Sequence, residues 1–427
     1  MAPQIRRRDV LAGVAVTAAA TVVGGRAASA ATSVGQRLTT GVEKLIASGY
    51  AAVSGQKVGL ISNPTGVLRD LQHEVDVMAP DDRIDLVAVF GPEHGFRGSS
   101  QAGGSEGSYQ DPRTGLPVYD MYAKSTDAIA GQFDKAGLDT VMFDIQDVGA
   151  RFYTYIWTMY QGMEAARMTG KRFVVLDRPN PIGGVDAYGP ILHPAYATGV
   201  GREPIAQSHG MTVGELAQLF NDQYLPGEVG GKVDLDVVTM DGWYRAEQYE
   251  NTGLPWVLPS PNMPTVDTAW VYPGTCMFEG TNLSEGRGTT KPFEIIGAPY
   301  VDYHWSDALN DMKLPGVRFR ETYFAPTFSK WVNQVCGGVE LHVTDRGSFN
   351  AIRTAIAMIV TAKALYPNDF AWRSDNWIDK LTGSDQVRND VDAGKDTDQV
   401  VAGWQQELAA FRRLRERYLI YRRIQGA

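Results

Sequence analysis

The chain has 427 residues, of which 44% are hydrophobic, 21% charged and 10% aromatic, with a formal charge of −9. This is a globular composition, and it excludes disordered, collagen-like and coiled-coil proteins. An acidic chain without a block of basic residues is also a poor partner for nucleic acid.

The N-terminus reads as a leader. Arg6, Arg7 and Arg8 precede a soft apolar run over residues 10–23, which ends in Ala28-Ser29-Ala30. That is a charged n-region, a short h-region and an A-x-A cleavage site. The run is too short to span a bilayer, and the paired arginines resemble a twin-arginine export signal. Removing residues 1–30 takes away four Arg and one Asp, so the mature charge becomes −12. No other stretch is long enough for a transmembrane helix. The expectation is an exported, extracytoplasmic protein with no membrane insertion after cleavage. Cys276 and Cys336 are the only cysteines. Without a C-x-x-C or Cys/His cluster, no structural zinc is expected. One disulfide and two buried thiols are both open to them.

Four apolar runs follow, at 57–62 (KVGLIS), 84–90 (IDLVAVF), 140–143 (TVMF) and 172–176 (RFVVL). Near-continuous β-branched runs of this length fit strands covered on both faces, as in a parallel sheet. A helix is expected between the last two, at 154–167, so the first half reads as an α/β domain. Each strand runs into a polar motif: Asn63-Pro64-Thr65-Gly66, Gly91-Pro92-Glu93-His94-Gly95, Asp144 to Arg151, and Asp177-Arg178-Pro179-Asn180-Pro181. Ligands bind at the carboxyl ends of strands in open parallel sheets, so four such motifs on one edge point to a site. Thr212 and Glu215 have capping-box spacing for a helix over 212–222, and 234–238 is another expected strand.

Residues 251–300 are rich in Gly, Pro and polar residues and read as long functional loops. They hold Ser260-Pro261-Asn262-Met263-Pro264-Thr265 and a dense run over 272–291. A second α/β segment follows. Val339, Leu341 and Val343 alternate with polar residues as in a half-buried strand, and 351–365 is helical. The last helix carries Trp404, Leu408, Phe411, Leu414, Tyr418 and Tyr421 on one stripe. Its arginines (Arg412, Arg413, Arg415, Arg417) read as a solvated face. The expected division is a leader over 1–30, an N-terminal α/β domain over 31–265 and a C-terminal α/β domain over 266–427.

Standard catalytic signatures are missing. There is no H-E-x-x-H, no P-loop and no strand-linked G-x-G-x-x-G, so neither metal nor nucleotide cofactor is expected. Gly103-Gly104-Ser105-Glu106-Gly107 matches G-x-S-x-G but follows no strand, so it lacks a nucleophile elbow. Carboxylates, arginines and aromatics remain. Glu93, just past a buried strand, suits a general acid if partly desolvated. Asp144, Asp147, Glu279 and Glu285 are its candidate partners. Tyr153, Tyr155, Trp157, Trp270 and Tyr272 are candidate sugar-stacking rings. Two carboxyls with aromatics nearby are the constellation of glycoside hydrolysis. His94 is placed to bond Glu93, and His209 to act in or orient its loop. Arg97, Arg151, Arg178, Arg287 and Lys291 either pair these carboxylates or bind an anionic substrate.

The motifs GPEHGFRG (91–98), DIQDVGARFYTY (144–155), LDRPNPIGG (176–184), SPNMPT (260–265) and YPGTCMFEGTNLSEGRGTTKPFEIIGAP (272–299) resemble the NamZ family of exo-β-N-acetylmuramidases. The resemblance implies a Rossmann-like N-terminal domain, a smaller C-terminal α/β domain and a cleft between them. It implies release of N-acetylmuramic acid from non-reducing ends of peptidoglycan fragments, with peptidoglycan-derived muro-saccharides as partners and Glu93 as the leading catalytic residue. Tyr153, Asn180, His209, Asn262 and Asn282 join the arginines and Lys291 as substrate-binding candidates within these motifs. Muramic acid carries a lactyl carboxylate, so one of Arg97, Arg151, Arg178 or Arg287 is expected to pair it. The rival readings are a non-catalytic muropeptide-binding protein and a cell-wall esterase or amidase.

Overall fold

The computed structural model describes residues 37–424; the leader lies outside them. Among the described residues, twelve strands form three sheets. The main sheet contains β1 (Lys57–Ser62), β2 (Asp85–Gly91), β3 (Tyr109–Gln110), β4 (Pro117–Asp120), β5 (Thr140–Asp144), β6 (Arg172–Leu176) and a later strand, β9 (Leu235–Val238). Between them in sequence, β7 (Tyr188–Ile191) and β8 (Ala206–Ser208) form a separate antiparallel pair. The main sheet runs β3-β4-β2-β1-β5-β6-β9, and every neighbour pair is parallel except the short edge strand β3.

The apolar runs are near-continuous because both faces are covered. Side chains alternate along each strand. Ile61, Phe90, Val141, Phe143, Phe173 and Val175 join one core. It also takes in residues of the helices Thr126–Lys135, Tyr155–Met168 and Val213–Gln223. Leu60, Val89, Met142, Val174 and Leu176 join the other, beneath Gly41–Ala47 and Glu74–Met78. The helix at Val213 starts where the sequence placed it, with Thr212 and Glu215 forming a complete capping box.

The winding leaves β1 in both directions, so strand order reverses between β1 and β5. That is where such sheets usually bind ligands. Here the crevice is filled. The Gln146 backbone N–H donates to Thr65 Oγ1 at 2.9 Å, and Leu254, Pro255 and Val257 close over Arg178 and Tyr249 to leave about 10 Å³. The open space at this edge lies instead beyond β2 and β5.

The second, smaller domain holds β10 (Ile295–Ala298), β11 (Val317–Phe324) and β12 (Cys336–Val343), an antiparallel sheet in the order β10-β12-β11. Three expectations change here. Residues 251–300 are not all loop: Val266–Thr275 is a helix capped by Thr265, with Pro273 inside it. Tertiary packing overrides its Gly and Pro, because Gly274 lies flat on Ala351, where a Cβ would sit 2.0 Å from the carbonyl oxygen. The strand at 339–343 is central and mostly buried, not half-buried. The last helix ends at Arg415, which is 1% exposed and donates to the carbonyls of Gly184, Val185 and Gly210. Arg412 holds Ala187 O. These two arginines tie the C-terminal helix to the first domain instead of facing solvent. Cys276 and Cys336 are separate buried thiols.

Candidate active site

Glu93 stands in the turn after β2. His94 and Gly95 both take positive φ there (72° and 87°). A Cβ at Gly95 would meet the Glu106 carboxyl at 2.2–2.6 Å, so this approach requires glycine. Glu106 in turn accepts the backbone N–H groups of Arg97 and Ser99, which shapes the loop that covers the turn. Glu93 is held at both oxygens: Oε1 accepts from Gly103 N at 2.8 Å, and Oε2 from the Thr154 hydroxyl at 3.0 Å. Thr154 directly precedes the helix Tyr155–Met168.

Glu93 lies between two spaces. One is an inner cavity of about 220 Å³, walled by Glu93, His94, Tyr153 and Tyr155 of the first domain and by Tyr272, Cys276, Glu279, Arg287 and Phe293 from the second. The other is a wider groove of about 840 Å³, which carries Lys124, Trp157, Arg202, Glu203 and Glu228. Glu93, Thr154 and Val200 belong to both. His94 is 6% exposed, and its Nδ1 lies 2.9 Å from the Ser100 carbonyl oxygen. A carbonyl only accepts, so Nδ1 carries a proton. His94 therefore bonds its own loop and not Glu93. Tyr153 is buried edge-on to Tyr155 and Tyr272, with Ser260 beside it in the cavity wall. Burial pushes the phenol up, so it stays a protonated donor.

Across the cavity, Arg287 donates to Glu279 at 2.7 Å and lies 3.4 Å from Glu285, and Lys330 donates to Glu285 at 2.9 Å. Burial works against the charge on Arg287, and the two carboxylates more than restore it. Lys330 also holds the Phe278 and Leu283 carbonyls, which anchors the whole row.

Residues 58–267 match the family model for the exo-β-N-acetylmuramidase NamZ N-terminal region, and residues 270–421 the model for its C-terminal region. The chain is 47% identical over 386 residues to the peptidoglycan β-N-acetylmuramidase NamZ of Bacillus subtilis (strain 168), covering 90% of this chain and 92% of that one. The chain belongs to the NamZ family. Two crystal structures of DUF1343 family proteins from Bacteroides fragilis NCTC 9343 share its fold. One has a TM-score of 0.83 at 34% identity, covering 90% of this chain and 99% of its own; the other has 0.73 at 30%, covering 91% and 99%.

Of the residues singled out from sequence, Glu93, His94, Tyr153, Glu279 and Arg287 share the inner cavity, joined by the rings of Tyr155 and Tyr272. Trp157 lines the outer groove, and Trp270 a different cavity. The rest are engaged elsewhere. Asp144 is fully buried and bound bidentately by Arg178, itself 5% exposed, so neither is a catalytic or lactyl-binding group. Glu74 is buried against the same pair. Burial and the Asp144 charge push its carboxyl well up. Asp147 accepts from Gly149 N and from His209 Nε2, which holds the loop; His209 Nδ1 accepts from Met211 N. Arg97 pairs with Asp76 and Asp111. Arg151 is fully buried and donates to the carbonyls of Pro190, Ile205 and Leu381. Asn180 bonds Met211 O and Ile182 N, and Asn282 bonds Asp369 O, Tyr300 and Ala371 N. Glu285 is covered by Lys330, while Lys291 pairs with Glu294 and Glu340. Asn262 is buried beside Ser260 and Met263, which do line the cavity.

Sequence reasoning missed Thr154, Ser260 and Cys276 as cavity walls, although all three lie in the family motifs. It also missed the outer groove, whose Lys124, Arg202 and Glu228 stand in no motif and left no local signal.

The buried cluster has a pH consequence. His73 Nε2 donates to Asn63 O, its Nδ1 caps the helix Glu74–Met78, and burial pushes it down to about 4. An unfolded histidine titrates near 6.5. The neutral ring thus contributes stability above pH 6.5, and this is lost as pH falls from 6.5 through 4, up to about 3 kcal/mol. His73→Asn should flatten that limb in denaturant titrations. An unchanged pH slope would refute this assignment.

Proposed function

We propose that the chain is an exo-acting glycoside hydrolase that releases N-acetylmuramic acid from the non-reducing ends of peptidoglycan fragments. The observation that carries this reading is the position of Glu93, at the neck between a small cavity and a wide groove. An exo-enzyme must seat one terminal sugar in a confined space and let the leaving chain run outward, with the scissile bond at the neck. Glu93 there protonates the glycosidic oxygen as general acid. Among the carboxylates weighed as its partner, Glu279 is the one that shares the cavity. The tyrosines supply ring faces and edges for the sugar. Arg287 is the one of the four candidate arginines positioned to meet the lactyl carboxylate.

The test is release of free sugar from MurNAc-GlcNAc and from a chromogenic N-acetylmuramide. Binding without release would make the protein a muropeptide-binding module, and release of acid or amine an esterase or amidase. Against the last, Ser105 donates to Asp120 on a loop and follows no strand. Arg287→Ala is expected to cut the preference for muramic over glucosamine substrates about 10- to 100-fold, the worth of a charged hydrogen bond. A preference left intact in competition assays would remove Arg287 from this role.

We also propose export through the twin-arginine-type leader, which the Arg6-Arg7-Arg8 run and Ala28-Ser29-Ala30 support. Replacing all three arginines by lysine should keep the protein inside the cell on fractionation. Undiminished export of that variant would refute it.

A further inference from the structure

A second cavity, of about 240 Å³, opens between the two domains away from Glu93. The Ile182-Gly183-Gly184 end of the LDRPNPIGG motif lines it, with Ser208, Trp270 and Asn350. It continues into a space of about 260 Å³ through shared Tyr188, Asn350 and Ile352. None of the proposed hydrolytic residues reaches it.

Its formal charges are already neutralised inside the protein. Arg245 pairs with Glu215, Arg346 with Glu250 and Asp267, and Asp186 with Arg412. Glu247 has no ion partner among the described residues; burial raises its carboxyl, and its Oε2 is buried without a hydrogen bond. Apart from Glu247, the polar groups left unpaired are neutral. Ser208 is 6% exposed and lines the cavity. The Trp270 indole N–H is buried without a hydrogen bond among the described residues. Asn350 uses its oxygen to cap the helix Ala351–Leu365, which leaves its amide N–H₂ free. Buried polar groups without partners are costly, and a ligand that supplies the missing bonds recovers that cost. An anionic ligand would find no free counter-charge here, because both arginines of the wall are already paired. A neutral ligand with hydroxyl and amide groups on an apolar ring body fits.

We infer that this cavity is a second, non-catalytic saccharide site that takes a neutral N-acetylated sugar, N-acetylglucosamine in the peptidoglycan setting. The neutrality rests on the cavity; the choice of this sugar among neutral ones rests on the muramidase reading. The site stands back to back with the inner cavity across one helix. Trp270 and Pro273 of Val266–Thr275 face the second cavity, while Tyr272 faces the first. A fragment held there by its neutral unit stays near the hydrolytic site between turnovers.

The test titrates N-acetylglucosamine and its β-1,4-linked trimer into the full chain carrying Glu93→Gln, following the Trp270 indole N–H signal by NMR, with Trp270→Phe to assign it. A saturable shift of that signal is expected, with affinity about tenfold weaker in Ser208→Ala and unchanged in Tyr153→Phe. N-acetylmuramic acid should bind there more weakly. No saturable shift, a shift indifferent to Ser208→Ala, or equal binding of the acidic sugar would each overturn the inference. The sugar-release assay reports separately. Release without the Trp270 shift sinks this site alone, and the shift without release sinks the muramidase reading alone.

Discussion

Glu93→Gln should lower kcat for N-acetylmuramic acid release by roughly 10²- to 10⁴-fold, the usual contribution of a positioned general acid. Gln keeps the shape of the side chain and an oxygen to accept from Gly103 N, but it has no proton to give. KM should therefore change little, because what is lost is made only in the transition state. Thr154→Ala gives a graded control. It frees one oxygen of Glu93 without removing the acid, and its loss should be much smaller than that of Glu93→Gln. A Glu93→Gln protein that kept more than about a tenth of the activity would rule Glu93 out as the acid.

Arg178→Ala should destabilise the fold by about 3–5 kcal/mol, because it strands buried Asp144 without its cation. The cluster is closed on all sides. Asp144 is 0% exposed, Glu74 is 0% exposed, and Ser62 donates to Glu74 at 2.6 Å. Arg178 also reaches the Val67 carbonyl, next to the filled crevice between β1 and β5. Removing charge and counter-charge together, as Arg178→Met with Asp144→Leu, should recover much of the loss. Denaturant unfolding decides this: a single variant within 1 kcal/mol of the parent would contradict the buried pair. The same variant separates a structural arginine from a substrate-reading one. If Arg178→Ala folded normally and lost selection for the acidic sugar, its place in the fold would have been misassigned.

The contrast between Glu93 and Asp144 marks the limit of reading along the chain. Both stand at the carboxyl ends of buried strands, both are flanked by polar motif residues, and both suit acid–base work by type. Local pattern is the same for each. What separates them is a partner 34 residues away for Asp144, Arg178, and a backbone N–H from a covering loop for Glu93. Arg151 and Arg287 diverge in the same way. One is enclosed by three carbonyls from distant segments, and the other opens onto the cavity.

By itself, the sequence determined β1, β2, β5, β6 and β9, the two-sided burial of the first four, the capping box at Thr212, the motif loops at the strand ends and the family. The family follows from the resemblance of its long motifs, and the rest from side-chain periodicity and turn chemistry, which act over a few residues. Only the tertiary structure decided which charges face the cavity. It closed the usual crevice of the sheet, took Asp144, Asp147 and Glu285 out of the cavity, left Glu93 at its neck, and brought Glu279 and Arg287 in from the second domain. The reason is electrostatic: whether an ionised group is an ion-pair member or a free reagent depends on burial and on partners remote in sequence, and no local pattern carries that information.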